Sequence, residues 1–288
     1  MIEFGPFSLE GFSLGGVETA LRVPELKLAI DVGRGRADLL TCDHIALTHT
    51  HIDHAGGLPY LLGLRQLYSM RTPTLYCPGQ VARELRAMLD AWEKVQRYEL
   101  RCDIVPVEVG GRYSLRKGVV LEPFRTYHPV PSFGYTVVEE VQKLLPEHQG
   151  RPGPEIAALR KDGVEVTETV RRPWLSVTGD TLVEVLDREP HILESEVLVL
   201  ECTFLDARKP LDKSRAGGHI HLDELTPLAG AFRNDRLVLS HFSQIYDQRA
   251  IARLLRPFGE AIAPTLLTLP TAPPGGETLG SADGAPDD

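Results

Sequence analysis

Short apolar runs set the pattern of this chain, and most of them end in a polar residue beside glycine or a turn. Residues 17–24 (VETALRVP) and 27–32 (KLAIDV) read as two strands around a turn at Pro24-Glu25, and residues 44–48 (HIALT) as a third. From 57 to 69 (GLPYLLGLRQLYS) the apolar residues move to helical spacing, which predicts a packed helix. A short strand is expected at 74–77, before Pro78-Gly79. Residues 80–98 predict a long amphipathic helix with Leu85, Met88, Leu89, Trp92 and Val95 on a core-facing stripe. Further strands are expected at 104–109, 119–126, from Phe133 onward, and at 174–177, 197–201 and 236–240. The run VLVLE at 197–201 is apolar up to its last residue, as a strand buried on both faces would be. Helices at 222–233 and 247–256 complete the set, the second closed by Pro257. Residues 142–172, with Pro146, Gly150, Pro152, Gly153 and Pro154, break the pattern and read as an irregular arm. From Thr268 the chain is rich in Pro, Gly and acid with almost nothing to bury, so residues 268–288 are expected to be disordered.

The polar residues that close the strands carry the chemistry. Asp31, His49, His51, His128, Asp180, Glu201 and His241 each stand at or just past a strand end. In α/β folds functional groups collect at the carboxyl ends of strands. Two β-rich halves, each backed by helices, would bring these ends to one edge. The densest stretch is Leu47–Leu58 (LTHTHIDHAGGL), which puts His49, His51, Asp53 and His54 within six residues where a strand gives way to a helix. Borderline cations such as zinc take imidazole nitrogen and carboxylate oxygen. His49 and His51 lie two apart and face the same way on an extended stretch. Asp53 and His54, at the turn, can face a second ion. His128 is expected as a further ligand, and Asp180, beside Gly179, can reach two cations. Asp31 either binds metal or hydrogen-bonds the ligand loop, the second being favoured. His44, His148 and His191 stand without partner ligands and read as ordinary.

Composition narrows the setting. A formal net charge of -9 does not suit a nucleic-acid binder unless its basic residues gather in one patch. Cys42, Cys77, Cys102 and Cys202 are scattered without CxxC spacing and read as reduced thiols, so a cytoplasmic setting is expected. The opening residues lack the basic-then-apolar pattern of a signal peptide, and no apolar stretch reaches the ~18 residues of a membrane span. No phosphate-binding glycine loop, zinc-finger spacing or internal repeat is found.

Taken together, GGVETAL, IDVGR, THTHIDHAGGLP, TYHPVPSFGY, PGPEIAALRKDGVEV, VTGDT, LECTFLD, GHIHLDEL and LSHFSQIY resemble the metallo-β-lactamase superfamily, and within it ribonuclease Z (tRNase Z) in its short, plant-like form. The matches span residues 15–246 in family order. The resemblance implies an α/β fold, an αββα sandwich of two mixed sheets flanked by helices, as a single domain over 1–267 with an arm-like insertion at about 140–172. It implies two zinc ions: His49, His51 and His128 on one, Asp53, His54 and His241 on the other, and Asp180 between them. It implies catalytic roles for Asp53, which would orient the attacking water, and for a proton relay outside the metal shell. Glu201 matches the relay's carboxylate. For its histidine, His221 is preferred to the ambiguous His219, because it directly precedes a helix. The implied reaction is hydrolysis of a phosphodiester by a dizinc-activated hydroxide, removing the 3′ trailer of precursor tRNA, in a homodimer.

Two departures stand against that pattern. Ribonuclease Z usually carries an Arg four residues after its last His ligand, and here that residue is Ile245. The tRNA-gripping arm is short, and its Lys143, Arg151, Arg160, Lys161, Arg171 and Arg172 are set among Glu139, Glu140, Glu147 and Glu155. Phosphate contacts dominate affinity for nucleic acid. The alternative is therefore a hydrolase of the same fold acting on a small molecule: a cyclic nucleotide, a lactone or a thioester.

Overall fold

The computed structural model describes residues 1–269. Within them, fourteen strands form two seven-stranded sheets. The first runs in chain order through β1 (Ile2–Phe4), β2 (Phe7–Leu14), β3 (Glu18–Val23), β4 (Leu28–Ile30), β5 (His44–Ala46), β6 (Thr74–Pro78) and β7 (Asp103–Val107). The second holds β8 (Tyr113–Arg116), β9 (Val119–Arg125), β10 (Phe133–Leu144), β11 (Thr167–Val177), β12 (Val197–Glu201), β13 (Arg236–Ser240) and β14 (Thr265–Thr268). Strands β4 to β7 are parallel, as are β11 to β14; the other pairings are antiparallel. The helices are α1 (Ile52–Ala55), α2 (Leu58–Leu67), α3 (Ala82–Gln96), α4 (Gly153–Lys161), α5 (Val185–Arg188), α6 (Leu211–Ala216), α7 (Leu222–Leu225) and α8 (Gln248–Ala261).

Successive side chains of a strand point to opposite faces, and the three cores follow that period of two. Val197 and Val199 enter a core shared with Leu21, Ile30 and Ala46 of the first sheet, so the two sheets pack face to face. Leu198 and Leu200 turn the other way, onto Ile251, Leu255 and Phe258 of α8. On the outer side of the first sheet, Ala29, Ile45 and Leu75 meet Leu58, Leu61 and Leu62 of α2 and Leu85 and Leu89 of α3. The order of layers is helix, sheet, sheet, helix. Burying Leu85 and Leu89 stabilises α3 by roughly 1.5–3 kcal/mol per side chain.

The sheets are also stitched together at the edge where the parallel strands end. The Phe133 amide donates to the Thr48 carbonyl at 2.9 Å, and the buried Tyr135 hydroxyl donates to the Leu47 carbonyl at 2.8 Å. The Gly15 amide donates to Phe242 at 2.9 Å. Gly179, with φ +62°, sits where a Cβ would come within 2.6 Å of Thr48, so the strand-end loops of the two sheets touch only because glycine is there.

Five expectations change. Met88, Trp92 and Val95 are not core residues: they are 41%, 51% and 74% exposed, because the apolar stripe of α3 is wider than the sheet beneath it. Met88 and Trp92 line a groove with Tyr60, Leu64 and Leu67 of α2. The helix expected to close at Pro257 continues to Ala261; Pro257 is on the solvent side, where water can meet the carbonyl it leaves unpaired. The 142–172 segment is regular, since β10 and β11 pair as far as Leu144↔Thr167 and the tip folds as α4 over buried Ile156 and Val166. The helix expected over 222–233 is α7, followed by a 3-10 turn at Thr226–Ala231. Thr268 belongs to β14 and Leu269 is buried, so the ordered chain runs past 267; the rest of the expected tail, 270–288, lies outside the described residues. Strands β1, β2, β8 and β14 have no counterpart in the sequence reading.

Candidate metal centre

The sequence places its polar residues at strand ends, and the parallel sheets bring those ends together. The first sheet contributes His49 and His51 after β5, and Asp53 and His54 on α1. The second contributes His128 after β9, Asp180 after β11 and His241 after β13. Potential ligand atoms of His49, His51, His128 and Asp180 all lie within 4.8 Å of one another, as do those of Asp53, His54 and His241. Asp180 joins the two groups. Its Oδ2 is 3.6 Å from His49 Nε2, while its Oδ1 is 3.4 Å from His54 Nε2 and 3.3 Å from His241 Nε2.

The back of each ring explains which nitrogen faces inward. The Thr48 hydroxyl donates to Asp31 Oδ2 at 2.7 Å, which leaves its oxygen to accept the His49 Nδ1 hydrogen at 3.0 Å. The Thr203 hydroxyl donates to Glu201 Oε2 at 2.6 Å and accepts from His241 Nδ1 at 2.9 Å. His54 Nδ1 donates to Asp31 Oδ2 at 2.7 Å, and His128 Nδ1 to the Gly218 carbonyl at 3.0 Å. With each Nδ1 hydrogen committed outward, the four Nε2 lone pairs point into the cluster. His51 instead presents Nδ1, 3.1 Å from His128 Nε2. Gly218 can take this place only as glycine, since a Cβ there would lie 2.4 Å from Pro129 and 2.8 Å from His128 Nδ1.

These residues fit a metal. His49 Nε2 and Asp180 Oδ1 are buried polar atoms with no hydrogen-bond partner among the described residues, an arrangement that costs free energy unless something else is bound. Four ligands at ~2.1 Å in a tetrahedron stand ~3.4 Å apart, and the facing atoms here are 3.1–3.6 Å apart. Burial, with His54 next to it, pushes the His49 imidazole down to about 2, so it is the neutral form that ligation needs. Asp31 is not aimed at the cluster: it accepts from the Thr48 amide, the Thr48 hydroxyl and His54. Asp53 Oδ2 accepts from the Gly16 amide at 2.9 Å and lies 3.4 Å from His241 Nε2.

Beside Glu201 the structure places the other histidine of GHIH than the one expected there. His219, and not His221, meets Glu201: its Nδ1 is 3.1 Å from Glu201 Oε1 and 4.0 Å from Asp180 Oδ2, and its ring stacks on His241. Burial opposes charge on His219, and Glu201, Asp180 and Asp53 overcome it, raising it to about 9. His221 is the N-cap of α7; its Nδ1 accepts from the Asp223 amide at 3.1 Å and its Nε2 lies against the Asp206 carbonyl. Glu201 is fixed by the Thr181 amide at 2.8 Å and by Thr203. Sequence reasoning passed over Thr48, Thr203, Gly16 and Gly218; the signal available for the first two was a threonine close to a strand-end polar residue, Thr48 before His49 and Thr203 two residues after Glu201. His44 rests against the Tyr76 hydroxyl, and His148 and His191 join no ligand group among the described residues.

A sandwich of two mixed sheets with ligands pooled at one edge belongs to a well-populated class. The Beta-lactamase superfamily domain matches residues 17–145, and together with the relatives that follow it makes the chain a metal-dependent hydrolase of that superfamily. Two Arabidopsis thaliana proteins narrow this further. "tRNase Z TRZ1" is 34% identical over 247 residues, covering 85% of this chain and 88% of the relative. "tRNase Z TRZ2, chloroplastic" is 34% identical over 252 residues, covering 87% of this chain and 71% of the relative. The chain belongs to the tRNase Z (ribonuclease Z) family. Human tRNase Z, short form, shares the fold, with a TM-score of 0.57 and 22% identity over 82% of this chain and 93% of that one.

Proposed function

We propose that this chain is the endoribonuclease that removes the 3′ trailer of precursor tRNA, and that its centre holds two zinc ions. The observation that carries the reading is Asp180, one carboxylate presenting Oδ2 to the His49 group and Oδ1 to His54 and His241. His49, His51 and His128 hold one ion and Asp53, His54 and His241 the other. Bound there, zinc lowers the pKa of water and offsets negative charge growing on the phosphoryl oxygens.

The chain's own residues do the rest. Asp53, held by the Gly16 amide, orients the attacking water and accepts its proton at a carboxylate oxygen. His219 takes the relay role expected of His221. Glu201 holds its Nδ1 side, and the ring stays 20% exposed, open to a substrate, from where it delivers a proton to the departing ribose oxygen. The short arm supplies Lys143, Arg151, Arg160 and Lys161 to the tRNA, while Arg171 and Arg172 are engaged by Glu122 and Glu139. The apolar groove between α2 and α3 supports the homodimer that the family resemblance implies, and sedimentation of micromolar protein checks it. Four free thiols fit a cytoplasmic setting, and no described helix is long and apolar enough to cross a membrane.

The test is incubation of the zinc-loaded protein with a precursor tRNA carrying a 3′ trailer, beside a lactone. Cleavage just after the discriminator base is expected. Lactone turnover without RNA cleavage would sink the reading.

A further inference from the structure

On the His128 side the centre opens into a cavity of about 900 Å³, larger than a single side chain could fill and within the range of ligand pockets. His128 is the one residue of the metal centre on its wall. Arg125, Gln80 and an apolar surface that includes Val109 and Val130 line the space. Arg125 is exposed, and among the described residues it forms no ion pair or hydrogen bond; its guanidinium carbon lies 5.6 Å from the Tyr127 ring centre. Nearby Arg112 and Arg171, by contrast, are both engaged by Glu122. In a chain with 40 acidic and 31 basic residues, an unpaired guanidinium three residues from a metal ligand has a cause to be sought. Three residues span at most about 10 Å, so a strand crossing the centre passes Arg125 at a neighbouring nucleotide.

We propose that this cavity binds the RNA nucleotide adjoining the scissile bond, with Arg125 pairing its phosphate and the valine surface lying against its base. The proposal rests on the reading of the chain as a ribonuclease and names a strand subsite for it. A guanidinium offers a planar fork of donors that matches a phosphate. Glu108 lines the same cavity, so there is room for one phosphate beside Arg125 and, toward Glu108, for hydrogen-bond donors such as a ribose 2′-hydroxyl or a base amine.

The experiment compares wild type, Arg125→Ala and Arg125→Lys, zinc-loaded, on precursor tRNA and on bis(p-nitrophenyl) phosphate, over a salt series. Arg125→Ala is expected to raise the KM for RNA about tenfold and to flatten the dependence of log KM on log salt by about 0.7, the loss of one single-strand phosphate contact. Arg125→Lys restores the salt slope and only part of the KM, since a point charge replaces a fork. An unchanged KM and slope, or equal losses on RNA and on the small diester, would overturn the subsite and leave the ribonuclease reading standing. If wild type fails to cut precursor tRNA, that reading falls by itself. The subsite is then judged by anisotropy of a labelled single-stranded RNA, where equal salt slopes in wild type and Arg125→Ala reject it.

Discussion

Thr203 shows how much a residue outside the ligand set decides. Its hydroxyl ties the His241 ring to Glu201, which in turn holds His219, so a single oxygen couples the proposed ligand set to the proposed relay. Thr203→Val keeps the shape and removes the oxygen. Metal affinity is expected to fall 10–100-fold, the usual cost of losing such support, and competition with a zinc chelator measures it. The two histidines of GHIH separate just as cleanly. His219→Ala is expected to lower kcat on precursor tRNA by about 10²–10⁴ with the metal content kept. His221→Ala removes a helix cap worth roughly 0.5–2 kcal/mol and is expected to lower Tm and leave kcat nearly intact. Elemental analysis, kinetics and thermal melts on the two variants distinguish the roles; a kcat loss in His221→Ala alone would restore the original expectation. Spacing picked out His49, His51, Asp53 and His54 as a candidate group because their relation is local. It could not rank His219 above His221, which depends on the turn through Gly217 and Gly218 and on α7 drawing the His221 ring under its own first amides.

At the scale of elements, strands with strong apolar runs were legible and weak ones were not. Tyr113–Arg116 and Thr265–Thr268 become β8 and β14 because a neighbouring strand offers pairing, so their order comes from context more than from their own residues. The stripe on α3 was legible as amphipathic but not in its limits, since the sheet's width is invisible from within the helix. The arm was visible as an interruption and hidden as structure, because its pairing joins residues about 25 apart. Ile156 and Val166 belong to none of the three main cores. Replacing 145–166 by a tight turn at Leu144 is therefore expected to shift Tm by only a few degrees. The KM for precursor tRNA should rise at least tenfold while bis(p-nitrophenyl) phosphate turnover persists. An unfolded variant would show the arm to be part of the core.

For the whole molecule, an overall charge of -9 means that RNA must be met by local cations against a repulsive background. Its cleavage should therefore weaken steeply with salt. Ligand binding to the native state stabilises it by about 2.7 kcal/mol at a hundredfold excess over Kd. Chelation is thus expected to lower Tm by about 4–5 °C for each ion lost at this chain length. Calorimetry with and without chelator checks this, and a Tm indifferent to metal would contradict the centre as described.

The two ligand groups that contain the HxHxDH residues draw on both sheets: His49 and His51 with His128, and Asp53 and His54 with His241. An ion in either place works as a rivet through the sandwich. Pulling the two layers apart would mean breaking coordination bonds, and loading the metal would be the last act of assembly. The hydrolytic centre and the fastening of the two halves would then be the same object, gained and lost together.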